Sequence, residues 1–220
     1  MPSSLATAVV NLGAPLTDLD EGETLAIAPA SRGFVVVSGH LSGRVDVYGG
    51  TGIELVGHGD VVLLDRRGSD ASGAPTAATR WTAIDSAQVA WLQDASWGAM
   101  LRHPAWSRAL IESQAQRVEH LRSMQAASTL TRVDDRILGA MWLLAERFGQ
   151  VTPEGTLVGI PLAHRLIGEL IGARRPTVTT AVSKLAAEGL LSRSRRGRWV
   201  LHGSPPQAPA TDAAIHSLAG

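Results

Sequence analysis

Residues 161–191 decide the fold and read PLAHRLIGELIGARRPTVTTAVSKLAAEGLL. Gly172 permits a tight turn, Pro176 falls in the first turn of a following helix, and Gly189 ends that helix. Two short helices joined by a glycine-containing turn predict a helix-turn-helix. The first of them has one apolar face, formed at helical spacing by Leu162, Leu166, Ile167 and Leu170.

The second helix of this pair has an apolar side and a side of small polar residues. Its predicted inward residues are Val178, Ala181, Val182 and Leu185. Arginine can bind a guanine edge through two hydrogen bonds, and threonine offers a hydroxyl and a methyl group to the major groove. His164 and Arg165, at the start of the preceding helix, are predicted to contact the DNA backbone. The predicted DNA-facing residues are Arg174, Arg175, Pro176, Thr177, Thr179, Thr180, Ser183 and Lys184.

A basic hairpin follows at residues 190–201, with the sequence LLSRSRRGRWVL. We predict two strands joined by a tight turn at Arg196-Gly197, which would form a wing beside the helix pair. A solvated charged hairpin is the alternative, but the adjacent helix pair favours contact with phosphates. Four arginines give the wing its charge: Arg193, Arg195, Arg196 and Arg198.

Composition indicates a folded chain whose C-terminal part suits a polyanion. The 220 residues are 45% hydrophobic and 18% charged and include no cysteine, which excludes disulfides, thiolate zinc sites and cysteine nucleophiles. Residues 1–131 hold nine basic residues against thirteen acids, whereas residues 132–202 hold eleven against six. The first basic residue is Arg32 and no apolar run could span a membrane, so we expect a cytoplasmic protein.

Residues 24–93 show a β pattern. Phe34–Val37 is largely a β-branched run, and Gly43–Tyr48 alternates apolar and polar residues between glycines. Residues 67–79 are rich in Gly, Ser, Ala and Pro and predict an exposed loop. Short strands with frequent turns predict a sandwich or barrel. The further candidate strands are Gly52–Val56, Val61–Leu64, Arg80–Ile84 and Gln88–Leu92.

Two longer helices lie between the β region and the helix-turn-helix. The first opens at Pro104 and extends to about Ser128, and the second covers Val133–Phe148. We favour a coiled-coil-like dimer seam on the first helix over packing on the chain's own β region. The small residues and prolines of residues 203–220 predict a disordered tail. The predicted seam consists of Leu110, Ile111, Gln114, Val118, Leu121 and Met124.

Residues 172–181, GARRPTVTTA, resemble the turn and recognition helix of the Crp/Fnr family of bacterial regulators. The similarity continues through Leu185, Gly189 and the wing, and extends more weakly over Phe34–Tyr48 and residues 57–62. It implies an α+β chain with an N-terminal β-roll (a cyclic-nucleotide-binding-like jelly roll), a long dimerisation helix and a C-terminal winged helix-turn-helix. The expected divisions are residues 1–103, 104–131 and 132–202, followed by the tail.

The resemblance also implies a function without enzyme activity. We expect a homodimeric transcriptional regulator that binds a pseudo-palindromic site on double-stranded DNA, with RNA polymerase as a further candidate partner. No catalytic residue, metal ligand, cofactor or membrane contact is predicted, and the sequence does not identify an effector.

The chain departs from the family pattern in two respects, in the ligand-binding segment and in the recognition helix. Cyclic-nucleotide-binding members hold the ribose with a Gly-Glu pair and the cyclic phosphate with an Arg. In this chain Leu63-Leu64 stand where the Gly-Glu pair is expected, and the expected position of the Arg falls near Ala77. Arg80 is near in sequence, but strand alternation argues against transferring the role to it. Because a phosphate buried without a cation is costly, we expect cyclic AMP binding to be absent or weak. Pro176 stands where many members have Glu, so the family's usual operator is not assumed.

The sequence leaves three alternative functions to consider. A cupin-type β-roll metalloenzyme would need a His-x-His pair, a Glu and a later His, but His40 and His58 are isolated and Glu54 has no adjacent histidine pair. A winged helix used as a protein-interaction module is disfavoured by the wing arginines. Haem sensing is the third alternative, and the seven histidines define no axial pair.

Overall fold

The computed structural model describes residues 5–64, 79–195 and 197–205. Most of its N-terminal part is built from antiparallel strands. The strands are β1 (Leu16–Leu19), β2 (Gly33–Ser38), β3 (His40–Val47), β4 (Gly50–Gly57), β5 (Val61–Leu63), β6 (Arg80–Ala83) and β7 (Ala87–Leu92). They form two sheets with the orders β1-β7-β2-β5 and β4-β3-β6. The six strands predicted from the sequence correspond to β2–β7, so the predicted β-roll is confirmed.

The two sheets enclose an aromatic core. Phe34 lies edge-on to Trp81 and to Trp91, with ring centroids 5.4 and 5.9 Å apart. The chain passes from one sheet to the other at Gly39, whose φ of 72° is a left-handed conformation. A Cβ atom at this position would lie 2.3 Å from the carbonyl oxygen of Ser86, so the corner between the sheets requires glycine.

Helices cover one end of the β-roll and lead into a second domain. They are α1 (Leu5–Asn11), α2 (Asp94–Arg102), α3 (Pro104–Ser128), α4 (Val133–Phe148), α5 (His164–Ile171) and α6 (Arg175–Ala187). Short strands complete the C-terminal part: β8 (Gln150–Thr152), β9 (Gly155–Leu157), β10 (Leu191–Arg193) and β11 (Trp199–Leu201), in the sheet order β10-β11-β9-β8. Within the described ranges, no helix has the length and apolar character needed to cross a membrane.

The two long helices begin and end where the sequence predicted them, but α1, β1, α2, β8 and β9 were not predicted. These elements are short, from three to nine residues, so each offers little periodicity to detect. Tertiary contacts stabilise the helices among them, because Leu5, Val9 and Met100 are buried together against the β-roll. The predicted loop at residues 67–79, except Thr79, and the predicted tail beyond Pro205 lie outside the described residues.

Helix α3 packs on the β-roll along one face. Leu110 is buried there, and the side-chain amide of Gln114 donates a hydrogen bond of 2.9 Å to the carbonyl oxygen of Val61. One turn further on, Arg117 donates two hydrogen bonds to the carboxylate of Glu54, at 2.5 and 2.7 Å. Burial disfavours the charge of Arg117, but the hydrogen bonds and charge of Glu54 outweigh burial and raise its pKa. This pair therefore joins α3 to strand β4.

The structure divides the six residues of the predicted dimer seam. Leu110, Gln114 and Met124 contact the chain's own domains, the last within the core of the C-terminal domain. The exposed part of the stripe consists of Ile111, Val118 and Leu121, which are 69%, 46% and 37% exposed. Helix α3 thus packs on its own β-roll along one side and exposes an apolar stripe on another, and the dimer seam along that stripe stays a prediction.

The C-terminal domain contacts the β-roll through ion pairs as well as apolar packing. Arg147 of α4 pairs with Asp60 at 2.5 Å, and Arg44 of β3 donates to Glu169 of α5 at 2.9 Å. Leu55 of β4 is buried in the same core as α4, α5 and α6. The orientation of the helix-turn-helix therefore depends on the β-roll.

Loss of the Glu54 carboxylate should destabilise the fold. Glu54→Gln leaves the half-buried charge of Arg117 without its counterion and is expected to lower the free energy of unfolding by about 2–4 kcal/mol. Replacing both residues, as Glu54→Leu with Arg117→Met, should recover much of that loss because no charge then remains buried. Urea unfolding followed by circular dichroism measures the difference.

A matched control is Glu119→Gln on the exposed side of the same helix, where Glu119 lies 4.0 Å from Arg122 with both side chains more than 70% exposed. Its effect should stay below about 0.5 kcal/mol. Equal unfolding midpoints for Glu54→Gln and Glu119→Gln would show that the Glu54–Arg117 pair does not stabilise the contact between α3 and β4.

Candidate nucleic-acid interface

The turn between α5 and α6 depends on two glycines. Gly172 ends α5 with φ 66° and ψ 35°, the left-handed conformation that glycine adopts without strain. The N–H of Ala173 then donates a 2.9 Å hydrogen bond to the carbonyl oxygen of Gly168. A Cβ atom on Gly168 would lie 2.5 Å from the carbonyl oxygen of Ala173, so this position must also be small. Sequence reasoning identified Gly172 and missed Gly168, whose signal was its spacing of four residues before the turn.

Helix α6 presents the face that the sequence predicted. Val178, Ala181, Val182 and Leu185 are buried in the domain core. The opposite side is exposed along its whole length, at Arg174, Arg175, Pro176, Thr177, Thr179, Thr180, Ser183 and Lys184. An exposed helix side with small side chains can approach the floor of a DNA major groove closely.

The hydroxyl groups on this side are already oriented by the helix backbone. Thr179 donates to the carbonyl oxygen of Arg175 at 3.0 Å, and Thr180 donates to that of Pro176 at 3.2 Å. Ser183 donates in the same way to Thr179, at 3.0 Å. Because each hydroxyl proton points back along the helix, these oxygens present mainly acceptor lone pairs and the threonine methyl groups to a ligand.

The predicted basic residues of the helix pair differ in their partners. Arg174 and Arg175 are exposed and form no salt bridge with any residue in the described part of the chain. Lys184 instead contacts the carboxylate of Asp134 in α4, and this hydrogen bond lowers the pKa of Asp134. Arg165 of α5 pairs with Glu169 at 2.9 Å. The arginines at the start of α6 are therefore the cations most available to a polyanion.

The wing is a short hairpin, and the arginines that the structure describes in it have different surroundings. Gly197 has a φ of 73°, and its N–H donates to the carbonyl oxygen of Ser194 at 2.9 Å, which closes the turn. Arg195 is exposed. Arg198 is turned towards the β-roll and lies 3.8 Å from Asp85. Arg196, the fourth predicted wing contact, lies outside the described residues.

Trp199 organises the junction between the wing and the helix pair. The guanidinium carbon of Arg193 lies 3.4 Å from the centre of its ring, a cation–π contact. The indole N–H donates to the carbonyl oxygen of Leu162 at 2.8 Å, which fixes the ring against the entry to α5. Sequence reasoning did not single out this residue, although a lone tryptophan at the start of a wing strand is a detectable signal.

His164 lies beside this tryptophan at the start of α5. Its ring stacks on that of Trp199 with centroids 5.8 Å apart and planes 18° apart. Its Nδ1 atom lies 3.0 Å from the hydroxyl oxygen of Thr179 on α6. Burial lowers the pKa of His164, and the positive charges of Arg193 and Arg175 lower it further. His164 thus connects three parts of the predicted DNA-facing surface.

The described residues hold no arrangement typical of metal-dependent chemistry. Across residues 5–64, 79–195 and 197–205, no three His, Asp or Glu side chains group in a way that could hold a metal ion. His40, which the cupin alternative would require as a ligand, instead lies 2.9 Å from the carboxylate of Asp85 through Nδ1.

Comparison with known proteins identifies the C-terminal domain. Residues 135–202 match the family model of the Crp-like helix-turn-helix domain, which here comprises nearly all of α4, both helices of the helix-turn-helix and the wing. The global nitrogen regulator of Synechocystis sp. is 27% identical over 100 residues, which are 44% of this chain and 44% of that protein. The chain therefore matches less than half the length of this curated relative.

Solved structures resemble the chain over nearly its whole length. A cyclic nucleotide-binding domain containing protein from Listeria monocytogenes matches 90% of this chain and 97% of its own, with a TM-score of 0.71 and 14% identity. A CRP/FNR-family transcriptional regulator from Thermus thermophilus matches 86% of this chain and 94% of its own, with a TM-score of 0.59 and 19% identity. At these identities the likeness establishes the fold, namely a β-roll, a long helix and a winged helix in that order.

Proposed function

Because this chain has the Crp/Fnr fold and carries a Crp-like helix-turn-helix domain at residues 135–202, we propose that it is a DNA-binding transcriptional regulator that acts as a homodimer. The observation that carries the proposal is the exposed side of α6, which combines small polar side chains with Arg174 and Arg175 at its N-terminal end. Helix N-termini favour anions, and arginine at this end can reach a guanine edge or a phosphate.

The contacts divide by position on the surface. Arg175, Thr179 and Thr180 lie along the helix side that would enter the major groove, so we assign them to base edges. Arg174 and the exposed wing residue Arg195 are assigned to phosphates. The other candidates contact the DNA backbone or the rim of the groove: His164, Arg165, Pro176, Thr177, Ser183, Lys184, Arg193, Arg196 and Arg198.

Before they could bind DNA, three of these cations would have to leave, or share, a carboxylate partner within the protein. Arg165 and Lys184 pair with Glu169 and Asp134, and Arg198 is turned towards Asp85. The cations of Arg165 and Lys184 remain partly exposed and Arg198 lies 3.8 Å from Asp85, so phosphate oxygens of DNA can compete with these carboxylates for them. These three residues should therefore contribute less to affinity than Arg174 and Arg175.

The dimer would form through the exposed stripe of α3. Ile111, Val118 and Leu121 recur at spacings of seven and three residues, which is the repeat of a two-stranded coiled coil. A two-fold axis along this stripe would pair two recognition helices about 34–36 Å apart, one turn of DNA, on a pseudo-palindromic site. In this scheme residues 104–131 form the dimerisation segment, residues 1–103 a sensor-like domain and residues 132–202 the DNA-binding domain.

Cyclic AMP does not suit the β-roll of this chain. Leu63 and Leu64 occupy the positions where the Gly-Glu pair of cyclic-nucleotide-binding members is expected, and Ala77 lies outside the described residues. Along β6 the residues alternate, so that Trp81 and Ala83 are buried while Arg80 is exposed. Arg80 therefore faces away from the β-roll interior. From that side of the strand it could not neutralise a phosphate buried inside. We infer that DNA binding is independent of cyclic AMP and that any effector belongs to another chemical class.

Selection of bound duplexes from a random DNA pool at near-physiological salt tests the proposed function. Enrichment of a two-fold symmetric motif is the expected result. Arg175→Ala should cost about 1–3 kcal/mol on that motif and relax the preference at one base pair of each half-site. Arg195→Ala should weaken binding to all sequences and reduce the salt dependence by about one phosphate contact per protomer.

The two arginine variants act as controls for one another. Loss of affinity in both without any change in preference would contradict the assignment of Arg175 to bases. Enrichment of no motif with the wild-type chain would contradict the proposal itself and favour a winged helix that contacts a protein.

A charge within the exposed stripe of α3 should abolish the dimer. Val118→Asp would bury one unpaired carboxylate per protomer at the seam and is expected to raise the dimer dissociation constant at least about 100-fold. Gln116→Asp is the matched control, because Gln116 is exposed on a different side of α3. Sedimentation equilibrium reports both masses. A dimeric Val118→Asp variant would place the interface elsewhere.

Calorimetric titration with cyclic AMP is expected to show no binding up to about 1 mM ligand. Saturable binding in the micromolar range would contradict the inference drawn from Leu63, Leu64 and Arg80. The thermal unfolding temperature, measured with and without the nucleotide, provides an independent reading because a ligand that binds only the folded state raises it.

A further inference from the structure

His164 lies where the three parts of the predicted DNA-facing surface meet. It is the first residue of α5, its ring stacks on Trp199 of the wing, and its Nδ1 atom lies 3.0 Å from the hydroxyl oxygen of Thr179 on α6. The ring is neither fully buried nor fully exposed. A phosphate bound at the N-terminal end of α5 would therefore approach this imidazole.

The contacts of Thr179 favour one tautomer of His164. The Thr179 hydroxyl oxygen lies 3.0 Å from the carbonyl oxygen of Arg175, and a hydroxyl that donates there can only accept from His164. In that arrangement the neutral ring carries its proton on Nδ1 and its lone pair on Nε2. Nε2 has no hydrogen-bond partner among the residues that the structure describes. A neutral His164 consequently presents an acceptor, which repels a phosphate oxygen.

The charges around His164 keep it neutral in the free protein. Arg175 of α6 and Arg193 of β10 are the charged groups that act on it, and both are positive. On α5 itself, Arg165 is paired with Glu169, whose carboxylate also binds Arg44. Of the other wing arginines that the structure describes, Arg195 is exposed and Arg198 faces Asp85. Burial, followed by the charges of Arg193 and Arg175, lowers the pKa of His164 from its ordinary value.

Bound DNA would oppose the effect of the neighbouring positive charges. A phosphate would neutralise Arg193 and bring negative charge to Nε2, and an opposite charge within a few ångströms favours the protonated imidazole. Protonated His164 could then donate from Nε2 to a phosphate and keep the hydrogen bond from Nδ1 to Thr179. The contact with DNA therefore requires a proton that the lowered pKa of His164 disfavours in the free protein.

We propose that His164 takes up one proton per protomer when DNA binds, so that DNA affinity increases as pH falls. This inference rests on the proposed function, since it concerns the same surface. The pKa of His164 is higher in the complex than in the free protein. The gain in affinity begins as pH falls through the higher value and is complete below the lower one. Between them, affinity should increase by up to about tenfold per pH unit for each proton taken up.

Two substitutions at His164 separate the effect of protonation from the effect of replacing the side chain. Gln keeps a donor for Thr179 but cannot be protonated, so His164→Gln should bind DNA weakly and with a reduced pH dependence between about pH 8 and about pH 6. Arg is always charged, so His164→Arg should bind at least as tightly as wild type at about pH 8, also with a reduced pH dependence. His103→Gln is the matched control, because His103 stacks on Trp106 before α3.

The measurement is fluorescence anisotropy of the selected duplex across this pH range, at constant salt and with each variant's folding checked by circular dichroism. Calorimetry of the wild-type chain in two buffers of different ionisation enthalpy counts the protons directly. About one proton per protomer, with a pH slope lost in His164→Gln and retained in His103→Gln, is the expected result.

Two outcomes would overturn the inference and leave the proposed function intact. One is a His164→Gln variant that keeps the full wild-type pH slope. The other is wild-type binding without proton uptake near pH 7, a result that does not depend on any variant folding. Failure of the wild-type chain to bind DNA at any pH would instead contradict the proposed function, and the inference with it.

Discussion

Helix α3 contributes side chains to two separate hydrophobic cores. Leu110, near its start, is buried against the β-roll, and Met124, near its end, is buried with α4, α5 and α6. Between them the paired charges of Arg117 and Glu54 join the helix to β4. Because a helix is stiff over this length, any shift of the β-roll relative to one end of α3 must be transmitted to the domain at the other end.

The contacts between the β-roll and the winged helix follow from that constraint. Leu55 of β4 is buried in the core of the C-terminal domain, and Arg147 and Arg44 pair across the junction with Asp60 and Glu169. Glu169 also binds Arg165, on the helix that precedes the recognition helix. A change in the β-roll that moved Arg44 would thus alter the charge balance on the DNA-facing side. This is a physical route by which a sensor-like domain could influence a DNA-binding domain, whatever its effector.

The proposed DNA-facing surface combines fixed geometry with adjustable charge. Backbone hydrogen bonds hold the hydroxyl groups of α6 in place, and the indole of Trp199 fixes the wing to the entry of α5. Its charges are less constrained, because several cations rest on carboxylates within the protein, and burial and neighbouring positive charges lower the pKa of His164. Such a surface is preorganised in shape, while its final electrostatic state depends on the approaching polyanion.

The sequence by itself determined the architecture and which face of α6 is apolar. Apolar residues at spacings of three and four, Gly172 at the turn and Pro176 in the first helical turn are local signals, and burial of Val178 and Leu185 followed directly from them. Strands β2–β7 of the β-roll were equally readable from alternation and glycine, whereas β1 was not. The shorter elements were missed because segments such as α1 and β8 carry too few residues to show a period.

Only the tertiary structure decided which apolar side chains remain exposed and which charges remain unpaired. Leu110 and Ile111 are adjacent in sequence, yet the first is buried in the chain's own core and the second is exposed. Likewise Arg195 is free to meet a phosphate, whereas Arg198 faces Asp85, more than a hundred residues earlier in the chain. Periodicity specifies which face of an element is apolar, but partners distant in sequence specify what covers that face and which charges are already paired. That information exists only once the chain has folded.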